Sequence, residues 1–283
     1  MNKLKTTFFL GLLAGLIMAV GYWLGGQSGM IFALVASATM NFGAYWWSDK
    51  LVLSTYGAKP AQRNEFSELY KIMDDLIGRA SLPMPRLFVV ETDMPNAFAT
   101  GRNEKHAVVA VTTGLLKALD KEELRGVLAH ELAHIKNNDM LIGSIAATVA
   151  GAISYLVQMA YFANIFGGSN DDEDSGGGMF GAIAMMILAP LIATMLHMAI
   201  SRSREYLADE AGARFSGNPK GLASALGKLG NFAKSHELHG SPKQETAAHL
   251  FIVNPFKPSI MMSLFSTHPP MEERISRLNK LNI

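Results

Sequence analysis

Asp120-Lys121-Glu122-Glu123-Leu124-Arg125-Gly126-Val127-Leu128-Ala129-His130-Glu131-Leu132-Ala133-His134-Ile135-Lys136 is the stretch from which the rest of the chain is read. It predicts a helix: Asp120 followed by Glu123 is a capping-box pattern, and Leu124, Val127 and Leu128 follow at helical spacing. Residues four apart share a helical face, so His130 and His134 can reach one ion while the adjacent Glu131 addresses a water bound to it. Zinc lowers the pKa of such a water to about 7, and a carboxylate can take its proton during attack on a peptide carbonyl. The plainer reading, two surface histidines that solvate or cap a helix, is the weaker one.

Two histidines and a water leave a tetrahedral zinc one protein ligand short. Metzincin spacing is absent, because Asn137 stands where a glycine belongs and Met140 where a third histidine belongs. The ligand must come from further along the chain. Glu205 and Asp209 are the best pair, since two like charges four apart on a helix repel unless a cation joins them. Arg202 or Arg204 could be that cation; with zinc present, Glu205 would ligate and Asp209 would orient a ligand histidine or an arginine.

Working outward, no charged residue lies between Lys5 and Asp49, and a hydrocarbon core about 30 Å thick needs roughly 20 apolar residues per helix. The stretch is long enough for two spans, 6–24 and 30–47, broken at Gly25-Gly26-Gln27-Ser28-Gly29, with Tyr22, Trp23, Tyr45, Trp46 and Trp47 at the ends. A cleaved signal peptide is disfavoured, the apolar run being longer than an h-region. A second hairpin follows at 140–166 and 179–200, around the acidic, glycine-rich loop 167–178. Low complexity makes that loop a solvated linker rather than a calcium site.

Lys3, Lys5, Lys50, Lys59, Arg63, Arg202 and Arg204 flank the spans on one side, which the positive-inside rule makes cytoplasmic. Both termini and the segments 48–139 and 201–283 then share that side, and an out-and-back hairpin returns Glu205 to the surface that His134 leaves. The expected fold is a mainly α membrane protein of four transmembrane helices with a cytoplasmic α+β, zincin-like domain containing a small sheet. In that domain 61–79 has helical apolar spacing ended by Pro83 and Pro85. Segments 86–90 and 107–112 read as strands, with 96–101 between them as a turn or edge strand.

The composition agrees: 49% of the 283 residues are hydrophobic, 17% are charged and the net charge is +1, which leaves no basic surface for nucleic acid. Cysteine is absent, so a metal site must use His, Asp, Glu and water. His106, His197, His236, His239 and His249 have no partner at ligand spacing and read as structural or solvated. On sequence alone His268, ahead of Pro269-Pro270, is equally a cap or a functional residue.

Taken in order, the charge-poor N-terminal hairpin, Asn96-Ala97-Phe98-Ala99-Thr100-Gly101, His130-Glu131-Leu132-Ala133-His134, the further hydrophobic pair, Arg204-Glu205-Tyr206-Leu207-Ala208-Asp209 and Ser266-Thr267-His268-Pro269-Pro270 resemble the HtpX-type membrane metalloproteases. Those proteases are relatives of the prenyl-protein (CAAX) endopeptidases and are gluzincin-like. The resemblance implies one zinc ion with Glu205 as third ligand, Glu131 as base and His268 as donor to the oxyanion. It further implies that Asn96, Ala97, Phe98 and Gly101 hold an extended polypeptide substrate along an edge strand. The role it implies is stress-related quality control, the cleavage of misfolded or damaged membrane proteins in bacterial inner membranes. An intramembrane protease is disfavoured, because Lys121, Glu122, Glu123, Arg125, Lys136 and Asp139 around the motif would not be tolerated in hydrocarbon. A silent scaffold that keeps zinc for stability has no need of Glu131.

Overall fold

The structure is a computed structural model, and it describes residues 2–139, 192, 201–235 and 269–283. The expected spans 140–166 and 179–200, the loop 167–178, and His197, His236, His239, His249 and His268 lie outside the described residues, apart from residue 192. The chain divides into two compact units: Met1–Tyr45 with Ile142–Ile200, and Trp46–Leu141 with Ser201–Ile283.

In the first unit, helix α1 (Asn2–Thr55) begins and breaks once, at Gly25 and Gly26; Gly26 has φ 57°, which a residue with a Cβ rarely adopts. The break is shorter than the expected Gly25–Gly29 loop, because helix resumes immediately after it. A Cβ on Gly21 would lie 2.8 Å from that of Ala33, so the two arms fold back on each other in close contact. Among the described residues, no helix is long and apolar enough to cross a membrane. The four expected spans are therefore taken up below as a proposal.

The second unit is built on a four-stranded mixed sheet of order β1-β2-β4-β3, formed by β1 (Lys59–Pro60), β2 (Arg86–Val90), β3 (Ala97–Thr100) and β4 (Val108–Thr112). β2 and β4 are parallel, and β1 and β3 are antiparallel edge strands. Alternation puts Leu87, Val89, Ala97, Val109 and Val111 on the main core, while Val90, Phe98 and Ala110 turn to the other face. There Val52, from the last turn of α1, and Tyr56, just beyond the helix, cover them, with the Tyr56 and Phe98 rings 5.2 Å apart.

Helix α2 (Ser67–Ala80) buries Leu69, Ile72, Met73 and Leu76 on the main core. It begins six residues later than its apolar spacing suggests. The reason is that Ala61 N donates to Leu87 O, extending the β1–β2 pairing, and the chain then turns as Glu65 N and Phe66 N donate to Gln62 O. After α3 (Thr113–Ala118) comes α4 (Lys121–Lys136), packed against β3, α2 and α6 (Pro219–Ser235). Helix α5 covers 201–216, and α7 (Met271–Asn279) rests on α6 with Leu278 fully buried.

Candidate metal centre

The start of α4 is fixed by the predicted capping box: Glu123 N donates to Asp120 Oδ1 and Asp120 N to Glu123 Oε2, each at 2.9 Å. Leu124, Val127, Leu128, Leu132 and Ile135 are buried along the helix, which leaves its second half no freedom to roll. His130 and His134, one turn apart, meet edge to face with their centroids 4.6 Å apart, and their Nε2 atoms are 3.1 Å apart. Glu131 is buried on the same helix.

Helix α5 brings Glu205 and Asp209 to this pair. Its approach depends on Gly212, where an added Cβ would stand 2.8 Å from the backbone N of His130. Glu205 Oε1 lies 3.5 Å from His134 Nε2, and Glu205 Oε2 lies 3.7 Å from His130 Nε2. Among the described residues His130, His134 and Glu205 are the group whose donor atoms can hold one ion, all within 4.8 Å of one another.

Each imidazole has a carboxylate behind it. Asp209 Oδ1 is 3.0 Å from His130 Nδ1, and Asp139 Oδ2 is 2.8 Å from His134 Nδ1. His134 Nδ1 is within hydrogen bonding of Asp139 and His130 Nδ1 faces Asp209 as an ion pair, and a ring whose Nδ1 faces a carboxylate turns its Nε2 the other way, here toward the space shared with Glu205. The carboxylates are held in turn. Arg274 of α7, fully buried, donates to both oxygens of Asp209 at 2.7 and 2.8 Å and pairs with Glu205 Oε2 at 3.1 Å. Arg204 pairs with Asp139 Oδ1 at 2.8 Å and donates to the Asp139 carbonyl at 2.7 Å.

Burial pushes the Asp209 carboxyl upward, but Arg274 and His130 outweigh it and hold it at about 2. Burial likewise opposes charge on Arg274, yet Glu205 and Asp209 raise it above the ordinary arginine range. At Arg204 burial prevails over Asp139 and Glu205, and its pKa is lowered. Burial alone would lower His134; Asp139 and Glu205 reverse this and lift it well above 6.5. A field that favours a proton there also favours a metal cation.

Two features of the donor set fit zinc. Ligands about 2.0–2.1 Å from a tetrahedral zinc are separated by roughly 3.4 Å, which lies inside the observed spread of 3.1, 3.5 and 3.7 Å. Around the histidines the buried carboxylates Glu131, Asp139, Glu205 and Asp209 face the buried guanidinium groups Arg204 and Arg274. With both imidazoles neutral, as metal ligands are, the carboxylates outnumber the guanidinium groups by two, a charge that a divalent ion balances.

The sequence pattern of peptidase family M48 matches residues 63–282, which include every residue of this centre. The chain belongs to peptidase family M48. It is therefore a metalloendopeptidase, a hydrolase of peptide bonds, and the family's metal is zinc.

Relatives agree along the whole length of this family member. A "Protease HtpX homolog" of Desulforapulum autotrophicum is 54% identical over 278 residues, which cover 98% of this chain and 89% of that one. A protein of the same description from Syntrophobacter fumaroxidans is 50% identical over 282 residues, covering 99% of each. The crystal structure of S. mikatae Ste24p is similar in fold, with a TM-score of 0.58 at 19% identity, over 95% of this chain and 62% of that chain.

Of the residues expected from the sequence, His130, Glu131, His134, Glu205 and Asp209 come together. Asp209 serves both expected partners at once, a histidine and an arginine. That arginine is Arg274, while Arg204, one of the two offered as a cation in place of a metal, turns to Asp139. Asn96, Ala97, Phe98 and Gly101 lie in or beside edge strand β3, with all four buried. Backbone rather than side chain is thus what this strand can offer. Asn96 is fixed through its main chain, its N donating to Thr112 Oγ1 at 2.9 Å and its carbonyl accepting from that hydroxyl at 3.1 Å. His106 is exposed, as expected of a solvated histidine, and its Nδ1 is 2.7 Å from Asn103 Oδ1.

Asp139 and Arg274 were not legible as site residues. The one signal for Arg274 is its place on the inward face of α7: Leu278, one turn on, is buried, and Met271 and Ile275 pack on the core.

Proposed function

We propose that the protein is a membrane-embedded zinc endopeptidase acting at the cytoplasmic face of a bacterial inner membrane on misfolded or damaged membrane proteins. The observation that carries the catalytic part is the convergence of His130, His134 and Glu205, with a carboxylate behind each imidazole. These three residues would hold the ion, and Asp209 and Asp139 would orient the two rings. Zinc there supplies Lewis acidity, enough to bring the pKa of water to about 7.

Glu131, next to His130 on α4, takes the proton from the attacking water and returns it to the departing amine. Stored between those steps on a carboxylate oxygen, the proton never leaves the site. His268 is the donor to the oxyanion by family resemblance. The peptide substrate lies extended along the backbone of 96–101, which reads main chain and tolerates many side chains.

For the membrane part, the support is sequence and exposure. On α1, Phe8 is 66% exposed, Phe32 56% and Val35 60%, in a stretch without charge. Water-facing helices of soluble proteins do not carry such surface, whereas lipid covers it. The spans are 6–24, 30–47, 140–166 and 179–200, with both termini and the active site cytoplasmic and 167–178 outside.

The test is cleavage of an unfolded protein by the detergent-purified full chain, with zinc, with chelator and with Glu131→Gln. We expect loss of cleavage on chelation and a drop of about 10²–10⁴-fold in Glu131→Gln, whose zinc content stays that of the parent. A variant that cleaves as fast as the parent would remove Glu131 from the mechanism.

A further inference from the structure

Arg274 is a charged residue with no solvent-exposed surface, on a helix 65 residues after Asp209 and 144 after His130 in sequence. Burying a guanidinium is costly unless every donor has a purpose. Here the two sides of its fork do different things. Nε and Nη2 close on both oxygens of Asp209, the carboxylate behind His130, at 2.8 and 2.7 Å. Nη1 faces Glu205 Oε2 at 3.1 Å as an ion pair without hydrogen-bond geometry, which draws Oε2 toward Arg274 and leaves Oε1 on the side of His134. Nη2 also stands 3.4 Å from His130 Nε2, so the group borders the ligand cluster itself.

We propose that Arg274 is a positioning residue of the metal centre: it sets Glu205 to present a single oxygen, aligns His130 through Asp209, and thereby makes the C-terminal helix α7 a structural part of the zinc site. The inference rests on the reading of His130, His134 and Glu205 as the ligands. Lysine cannot replace it, because one ammonium has no planar fork with which to hold two carboxylates at fixed angles. Part of the anchorage of α7 lies away from the site: Leu278 is buried in the core and Lys234 pairs with Glu272 at 3.4 Å. A change at Leu278 thus loosens the helix without touching a ligand.

The experiment uses the full chain in detergent and reads the metal rather than proteolysis. Zinc affinity is measured by chelator competition, and cobalt substituted for zinc reports the coordination geometry by its visible absorption. Arg274→Lys and Arg274→Met should lose about 10–100-fold in zinc affinity, the range for groups that orient metal ligands, and should shift the cobalt spectrum. Leu278→Ala, which leaves Arg274 itself intact, should melt lower yet lose less zinc affinity than Arg274→Lys and keep the parent's cobalt spectrum in its folded fraction. A folded Arg274→Lys with the parent's affinity and spectrum overturns the proposal. A parent chain that binds no zinc overturns the site reading instead, so the two failures are separable.

The parent alone supplies a second measure that needs no variant. By reciprocity, a helix that steadies the zinc site is itself steadied by zinc. Hydrogen exchange across 271–279 should therefore slow when zinc is added to the chelated chain. Zinc and Arg274 are both cations sharing the same carboxylates, so unchanged or faster exchange would mean that they merely compete, and would sink the idea.

Discussion

The two ends of α4 both bury acidic groups, and they resolve the cost in opposite ways. At the N-terminal end Glu123 is satisfied within the protein, by Asp120 N at 2.9 Å, Ser224 Oγ at 2.7 Å and Lys228 Nζ at 2.7 Å. One carboxylate meets one ammonium there, and nothing further is required. At the C-terminal end Asp139, Glu205 and Asp209 pair with two guanidinium groups, Glu131 is buried on the same helix as the histidines, and two imidazole nitrogens stand 3.1 Å apart. A buried acidic cluster whose charges balance is a fastening; one left with an excess of two is a cation site. The same helix carries both, which explains its burial at nearly every turn.

Removing a carboxylate charge at either end separates them. Asp139→Asn takes the negative charge from behind His134 and from Arg204 while leaving an acceptor in place. We expect a fall of about 10–100-fold in zinc affinity by chelator competition. Its counterpart Glu123→Gln should leave zinc affinity alone. An Asp139→Asn chain that holds zinc as tightly as the parent would erase the distinction between the ends.

Gly212→Ala acts next, on the packing that joins α5 to the centre. The new methyl would meet His130 N at 2.8 Å and His130 Cα at 2.9 Å, backbone that cannot step aside. Pushing the helices apart should cost about 1–3 kcal/mol of stability. It should also weaken zinc binding, since Glu205 moves with α5. A lower melting temperature with unchanged zinc affinity would show that the centre tolerates a shift of that helix.

How much of this was legible beforehand follows the range of the interactions. The capping box, strands β2 and β4 and the shared face of His130 and His134 are local patterns, readable within one or two turns. Glu205 and Asp209 stand out because like charges at that spacing require an explanation. Asp139 does not, because what aims it is a turn: Asn138 adopts a left-handed conformation at φ 55° just past the helix, and the side chain comes back to a histidine five residues earlier. Arg274 sits in a nine-residue helix whose partners are 65 and 144 positions away, a distance over which spacing carries no information. The start of α2 was misread for a related reason: Ala61 and Phe66 fit a helical stripe, but the pairing of Ala61 with Leu87 across the sheet takes precedence.

The smallest effect is at the fastening, and acid tests it. Burial raises the Glu123 carboxyl, but Lys228, Ser224 and the Asp120 N–H more than offset it, so its folded pKa lies below 4.5. A carboxyl depressed on folding stabilises the protein fully above its unfolded value and loses that contribution as pH falls through the folded one. Near neutral pH, Glu123→Gln should cost about 1 kcal/mol, the worth of a helix cap, because the amide cannot serve an ammonium and a backbone N–H as the carboxylate does. Below pH 4.5 the gap in melting temperature between parent and variant should begin to narrow, and it should close once the pH has fallen through the folded pKa and the parent's own Glu123 is neutral. The scans belong in chelator, where loss of zinc from the other end of α4 cannot masquerade as loss of the fastening. A gap that does not narrow as the pH falls below 4.5 would mean that Glu123 acts through shape rather than charge, and that the two ends differ less in kind than in ligand.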